Sequence, residues 1–281
     1  MTVVVAALLG SAYLLGRSLV PDQPQRHANG TTTTANAPQY ADQPFGDEPS
    51  GGPTASQDAG PVETGQDGSG QNPPGQVAES DRVFGARTTT GTERVALTFD
   101  DGPDPRYTPQ VLAILREFDV KATFCVVGEN AQSHPDLIQA ITAEGHSLCN
   151  HSWHHDVTLG ERSADAIRAD LERTNAAIRA AVPAAPIVWY RQPGGAWTAP
   201  VVSVAQQLGM TPLHWSVDPS DWQVPGASKV VSTVLTQVAA GSVVLMHDAG
   251  GDRQGTVDAL RPILSDLTQR FELEALPTDP T

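Results

Sequence analysis

Positive charge is scarce in this chain: 17 Lys and Arg stand against 32 Asp and Glu over 281 residues, a net charge of −15. The deficit persists where the apolar residues concentrate, since from Thr92 onward 13 basic side chains face 23 acidic ones. Nucleic acids and anionic membrane surfaces need clustered cations, so neither is expected as a partner. Cysteine is almost missing. Cys125 and Cys149 are the only two, and neither belongs to a Cys-x-x-Cys unit, which argues against a thiolate zinc site. Each lies near the end of an apolar run, so either a disulfide between neighbouring strands or two buried thiols is open. Long hydrophobic runs are lacking as well. The apolar stretch 3–15 is short of the ~20 residues that span a bilayer, unless 16–20 is drawn in with Arg17 snorkelling.

No positive charge precedes that stretch and no small-residue cleavage site follows it, which makes it an imperfect signal peptide. Nothing beside it in sequence could pack on it as a buried helix, so residues 1–20 are read as a signal peptide or a membrane anchor. Either one places the rest of the chain outside the cell or at its surface, secreted or anchored in the membrane. Residues 21–91 are rich in Gly, Thr, Pro, Gln, Ser and Asp and lack apolar periodicity. Such a segment cannot bury enough surface to offset its ordering entropy, and it is expected to be a disordered linker. Residues 92–281 carry the material for a core. They have the size of one ordinary domain, expected to be monomeric.

In that part, apolar strand-like runs alternate with helical periodicity. Strands are expected at 94–99, 122–127, 146–150, 187–190, 211–215, 242–246 and 271–275. Helices are expected at 109–118, 134–144, 163–182, 199–208, 228–239 and 256–267. Strict alternation implies parallel strands with helical crossovers: an α/β fold, a compact (β/α) barrel of six or seven such units. The polar clusters Asp100–Asp101, His151–His155, Arg191, Asp218–Asp221 and His247 all follow a strand. In a (β/α) barrel that is the face where active sites assemble.

Asp100 and Asp101 close an apolar strand and repel each other, with no neighbouring cation in sequence. A bound metal ion is the simplest agent that makes the pair favourable. One carboxylate and two imidazoles from His151, His154 and His155 make a three-ligand set with open positions, and the second carboxylate is then free to act as a base. His151 and His155, four apart, share a face if their segment is helical; Trp153 is expected to pack beneath the rings. Arg191 is expected to hold a carboxylate through a bidentate contact. The Pro193–Gly194–Gly195 loop bares N–H groups that can meet an oxyanion. His247, with Asp221 against its far nitrogen, suits a general acid. Trp222 suits an apolar wall for a small acyl group. The whole reads as a metal-dependent hydrolase. A phosphatase would need a Gly-rich cradle or clustered Lys and Arg, and only Arg191 is on offer.

These clusters resemble the motifs of the polysaccharide deacetylase family, the NodB homology domain of carbohydrate esterase family 4. The residues carrying the resemblance are Thr98-Phe99-Asp100-Asp101-Gly102-Pro103, His151-Ser152-Trp153-His154-His155, Arg191-Gln192-Pro193-Gly194-Gly195, Asp218-Pro219-Ser220-Asp221-Trp222 and Leu245-Met246-His247. It implies a distorted (β/α) barrel of about seven parallel strands in which Asp101, His151 and His155 hold one divalent ion, Zn²⁺ first, with Co²⁺, Ni²⁺ or Mn²⁺ as alternatives. Asp100 would be the base, steadied by Arg191, and His247 the acid, tuned by Asp221. Trp222, Pro193, Gly194 and Leu245 would line the substrate site. The implied reaction removes N-acetyl groups from an N-acetylglucosamine polysaccharide, peptidoglycan or chitin-type; O-acetyl removal from xylan is the alternative. Gly194 departs from the pattern, standing where many members carry an aromatic residue.

Overall fold

The computed structural model describes residues 82–279. The expected N-terminal signal peptide or anchor and most of the expected linker lie outside the described residues. The part of that expected linker that is described is structured. Strands β1 (Arg82–Val83) and β2 (Ala86–Arg87) form a short antiparallel hairpin, Ala86 is fully buried, and Thr89 bridges to Ser242. Composition hides this edge because one small apolar side chain and a bridge suffice to anchor it.

Six strands form one parallel sheet: β3 (Ala96–Asp100), β4 (Thr123–Val126), β5 (Ser147–Asn150), β6 (Trp189–Tyr190), β7 (Thr211–Pro212) and β8 (Val243–His247). Their order is β7-β6-β5-β4-β3-β8. Beyond β7 the chain turns onto the other edge. Leu245 N–H donates to the Val217 carbonyl at 2.9 Å, and Val217 bridges Val244, so the sheet curls round into a distorted barrel. The expected seventh strand at 271–275 is reduced to a single parallel bridge between Val95 and Leu273. Its Glu272 and Glu274 side chains turn outward to Arg94, leaving little apolar surface to bury.

Among the described residues, seven α-helices cover the outside: α1 (Thr108–Glu117), α2 (Gly128–Ser133), α3 (Pro135–Ala143), α4 (Ala164–Ala181), α5 (Ala199–Gln207), α6 (Ala227–Gln237) and α7 (Gln254–Arg270). Their starts are chemically marked. Ser163 Oγ accepts from Ala166 N–H at 3.3 Å, Thr198 Oγ1 accepts from Val201 N–H at 3.4 Å, and prolines open α1, α3 and α5. Helix α2 carries no apolar stripe, which is why periodicity misses it. Its first residue, Gly128, packs closely on Trp153: a Cβ there would meet the indole at 2.5 Å.

The two-residue period of the strands sorts their side chains into two cores. Leu97, Phe99, Phe124, Val126, Leu148, Tyr190, Val244 and Met246 face the helices. Ala96, Cys125, Cys149, Trp189, Leu213 and Val243 cluster on the other face, in the lumen. There Cys125 and Cys149, in register on β4 and β5, form a disulfide. The C-terminal tail closes the lumen from below. Buried Leu276 joins this cluster, its N–H donates to Thr123 Oγ1 at 2.9 Å and its carbonyl accepts from Ser147 Oγ at 2.6 Å. Trp189 Nε1 donates to the Pro277 carbonyl at 2.8 Å.

Candidate active site

Continuing the same alternation upward from Cys125, Cys149, Trp189 and Val243 puts Asp100, His151, Arg191 and Leu245 with His247 at the lumen's upper end. Asp100 is in register with Cys125 on one side and with His247 on the other. The chain leaves β3 through Asp101 at φ 74°, a left-handed conformation that turns the second carboxylate back over the mouth.

Asp101 meets two imidazoles there. Its Oδ1 lies 3.4 Å from His151 Nε2 and 3.2 Å from His155 Nε2, and it is buried with no hydrogen-bond partner among the described residues. A carboxylate oxygen left so is costly unless something else binds it. One ligand atom from each of Asp101, His151 and His155 falls within 4.8 Å of the others. The protonation states suit a cation. Burial alone would raise the Asp101 carboxyl, but interaction with the neighbouring imidazoles of His155, His151 and His247 pulls it well below its usual range. Burial pushes His155 down, towards the neutral ring that a ligand must be. His151 Nδ1 sits 2.8 Å from the Arg191 carbonyl, which fixes the ring and turns Nε2 to the cluster. The residues present therefore fit a divalent ion.

The two histidines reach the site through a loop rather than along one helix face. Ser152 and His155 both adopt left-handed conformations, φ 64° and 56°, and the rings meet edge-on with centroids 5.0 Å apart. His154 points away, largely exposed and paired with Glu129 at 2.8 Å. Trp153 is buried against His154 and under the Arg173 guanidinium, so it braces the loop, and the ligand rings are held by other contacts.

Arg191 is fully buried. Its Nη1 donates to Asp100 Oδ1 at 2.7 Å and to Thr98 Oγ1 at 2.8 Å; its Nε and Nη2 donate to the carbonyls of Leu213 and His214. The contact to Asp100 is therefore one-pronged, where a bidentate pair was expected. The reason is that the rest of the fork is taken by the β7 exit. Asp100 Oδ2, at 3.6 Å from His151 Nε2, is left facing the ligand cluster. Pro193–Gly195 forms a single 3-10 turn with Gly194 at φ 61°. The N–H groups of Gly195 and Ala196 close that turn onto Gln192 and Pro193.

On the opposite wall, His247 Nδ1 lies 2.7 Å from Asp221 Oδ1. Asp221 Oδ2 accepts from the His247 N–H at 2.9 Å and from Thr256 Oγ1 at 2.7 Å. Burial opposes charge on His247, but the attraction and hydrogen bond of Asp221, helped by Asp101 and Asp100, outweigh it and raise its pKa to about 9. Trp222 is 38 % exposed beside this pair, and Leu245 is buried two residues below His247 on β8.

Three side chains of this region escaped the sequence reading. Thr256 holds Asp221. Arg253 is buried with its guanidinium on the carbonyls around Asp221 and Gly250. Asp248 is buried behind the Asp100–Gly102 turn, accepting from Thr108 Oγ1 while its Oδ1 has no hydrogen-bond partner among the described residues. Burial, with repulsion from Asp101, Asp104 and Asp100, raises its pKa to about 7 against the pull of the Thr108 bond. The available signal was the polar run 248–256 straight after a strand at the mouth.

Comparison with known proteins agrees with this geometry. The sequence model of the polysaccharide deacetylase family matches residues 87–213, which hold the Asp pair, the histidines and Arg191 and stop short of Asp221 and His247. A chitooligosaccharide deacetylase of Rhizobium leguminosarum bv. trifolii is 40 % identical over 196 residues, 65 % of this chain and 90 % of that protein. A peptidoglycan-N-acetylglucosamine deacetylase of Bacillus cereus is 37 % identical over 178 residues, 63 % of this chain and 82 % of the other. Among solved structures, a carbohydrate esterase family 4 pseudoenzyme from Bacillus anthracis superimposes with a TM-score of 0.64 at 27 % identity, covering 73 % of each chain.

Proposed function

Because this chain belongs to the polysaccharide deacetylase family, we propose that it removes N-acetyl groups from an N-acetylglucosamine polysaccharide, with a divalent ion, Zn²⁺ first, held by Asp101, His151 and His155. The fold and sequence make it a deacetylase of carbohydrate esterase family 4. Similarity to a pseudoenzyme raises the alternative of a silent glycan binder. The carrying observation against it is that a base, an acid and a three-residue ligand set all stand at one barrel mouth, with the acid already paired to its carboxylate at 2.7 Å.

When bound, the ion would act as a Lewis acid on the acyl oxygen and on water. The protein's own groups then move two protons. Asp100, with Oδ1 tied to Arg191, takes a proton from the attacking water on Oδ2. The carbonyl oxygen gains negative charge, and the Gly194 N–H is the donor assigned to it, because Pro193 has none and those of Gly195 and Ala196 are engaged. His247, with Nδ1 held by Asp221, gives its Nε2 proton to the departing nitrogen as the C–N bond breaks. Acetate and a free amine result, and exchange with solvent returns Asp100 and His247 to their starting states.

Trp222 and Leu245 would bound the acetyl group. The acidic surface suits a neutral or cationic polymer, and an exported enzyme on a long tether suits a fixed wall polymer. The test is acetate release by the full chain from N-acetylglucosamine oligomers, peptidoglycan and acetylated xylan, with Zn²⁺ or with chelator. Metal-dependent release from the aminosugar polymers is expected. Release from xylan alone turns the reading to an O-acetyl esterase, and no release from any substrate favours the silent binder.

A further inference from the structure

Helix α7 begins at the mouth of the barrel, and the residue before it, Arg253, is buried to 4 % exposure. Every hydrogen bond of its guanidinium ends on a backbone carbonyl. Nε donates to Ala249 at 2.6 Å and Nη2 to Gly250 at 2.9 Å; Nη1 donates to Trp222 at 3.3 Å, Asp252 at 3.3 Å and Asp221 at 3.5 Å. A buried cation spread over carbonyls is a costly way to fill space, and an apolar side chain of similar length would fill it more cheaply. Its placement matters more than its volume.

The carbonyls belong to two segments that carry site residues. Asp221 and Trp222 lie in a single 3-10 turn flanked by left-handed Ser220 and Val224, φ 53° and 55°, a segment with little regular structure to hold it. Ala249 and Gly250 follow His247 out of β8. Gly250, at φ 75°, is packed so closely on Asp101 that a Cβ would sit 2.3 Å from Asp101 Oδ2. Gly251 is packed on the guanidinium itself, where a Cβ would lie 3.2 Å from Arg253 Nη2. One fork therefore spans the acid side of the site and the segment that backs the ligand carboxylate.

We infer that Arg253 is a positioning residue, a clamp that holds the Asp221–Trp222 turn and the Ala249–Gly250 segment in register, so that His247 keeps its partner and Trp222 its place beside it. This rests on the deacetylase reading for its kinetic consequence, but its structural content stands without it. The clamp predicts a local effect. Removing the fork loosens residues 220–224 and 249–252 and leaves the rest of the sheet as it was. It also splits the kinetics: kcat falls through the His247–Asp221 pair, and KM rises through Trp222.

The experiment compares wild type, Arg253→Met and Arg253→Lys as full chains, by backbone hydrogen exchange, thermal midpoint and steady-state acetate release. Expected for Arg253→Met are faster exchange confined to 220–224 and 249–252, a kcat about tenfold lower or more, and a KM several-fold higher. Arg253→Lys, which keeps the charge but loses the fork, is expected in between. Unchanged exchange in both segments overturns the clamp. So does faster exchange throughout β3–β8 in both variants, which makes Arg253 a general fold residue. If wild type releases no acetate, the deacetylase reading fails while the exchange arm still decides the clamp.

Discussion

The two ends of the barrel lumen are built on the same strands and obey opposite rules. At the lower end Thr123 and Ser147 bond the backbone of Leu276, and Trp189 bonds Pro277. Apolar Ala96, Val243, Leu213 and the Cys125–Cys149 bridge fill the space between. At the upper end, two steps along each strand, buried carboxylates crowd together and two of their oxygens, Asp101 Oδ1 and Asp248 Oδ1, have no hydrogen-bond partner among the described residues. The lower end is arranged for stability, and the upper end holds unmet electrostatic demand that folding alone does not relieve. Frustrated groups of this kind concentrate where a ligand completes the site.

That contrast can be broken most forcefully at Asp100. Asp100→Asn keeps the shape and the site but removes the proton acceptor, so kcat should drop by about 10²–10⁴-fold with the fold intact. Acetate release together with a thermal melt checks it; a comparable loss of stability would mean that the upper end is structural after all.

The lower end should respond in the other sense. Leu276→Ala removes an apolar plug that is 1 % exposed, for a stability loss of about 2–4 kcal/mol by urea unfolding, with kcat unchanged at temperatures where the protein stays folded. A matching fall in kcat would show that the two ends are coupled.

How much of this contrast the sequence carries depends on the residue. The strands, the parallel order and the mouth location of Asp100, Asp101, His151, Arg191, Asp221 and His247 follow from apolar runs and from polar clusters placed after them. The closure between the β7 edge and β8 does not, because residues 213–217 pair through isolated bridges that leave no periodic trace. The loop path between His151 and His155 is hidden for a related reason: left-handed Ser152 and His155 are set by tertiary contacts, whereas turn sequences usually announce themselves with Gly or Asn. Asp248 and Arg253 were invisible because a charged residue in a polar run looks solvated until the fold buries it. The disulfide follows only from the fold, which sets Cys125 and Cys149 side by side in register on β4 and β5.

A subtler sharpening concerns pH. His247 is raised to about 9, so the protonated acid is present below that value and lost as pH rises through it. Asp221→Asn removes the chief attraction and should move the alkaline limb of kcat down by about one pH unit or more, alongside a lower plateau. A limb that stays in place would assign it to another group.

The smallest effect belongs to Asp248. Its pKa of about 7 lies above the ordinary carboxyl value of 3.8, so the folded state binds the proton more tightly than the unfolded chain. Stability should fall as pH rises from about 4 towards 7 and level off above. Asp248→Asn in metal-free protein should therefore be more stable than wild type at pH 8, by about 1–3 kcal/mol, and similar to it at pH 4. Urea unfolding at the two pH values measures the difference, and equal offsets at both would contradict it.

Whatever satisfies Asp101 Oδ1 decides whether this mouth is a metal site. The direct measurement is metal stoichiometry and affinity by calorimetric titration of the metal-free full chain with Zn²⁺, in wild type and in Asp101→Asn. One ion bound per wild-type chain, with affinity lost in the variant, is the predicted result. No stoichiometric binding to wild type, or equal binding to both proteins, would contradict it.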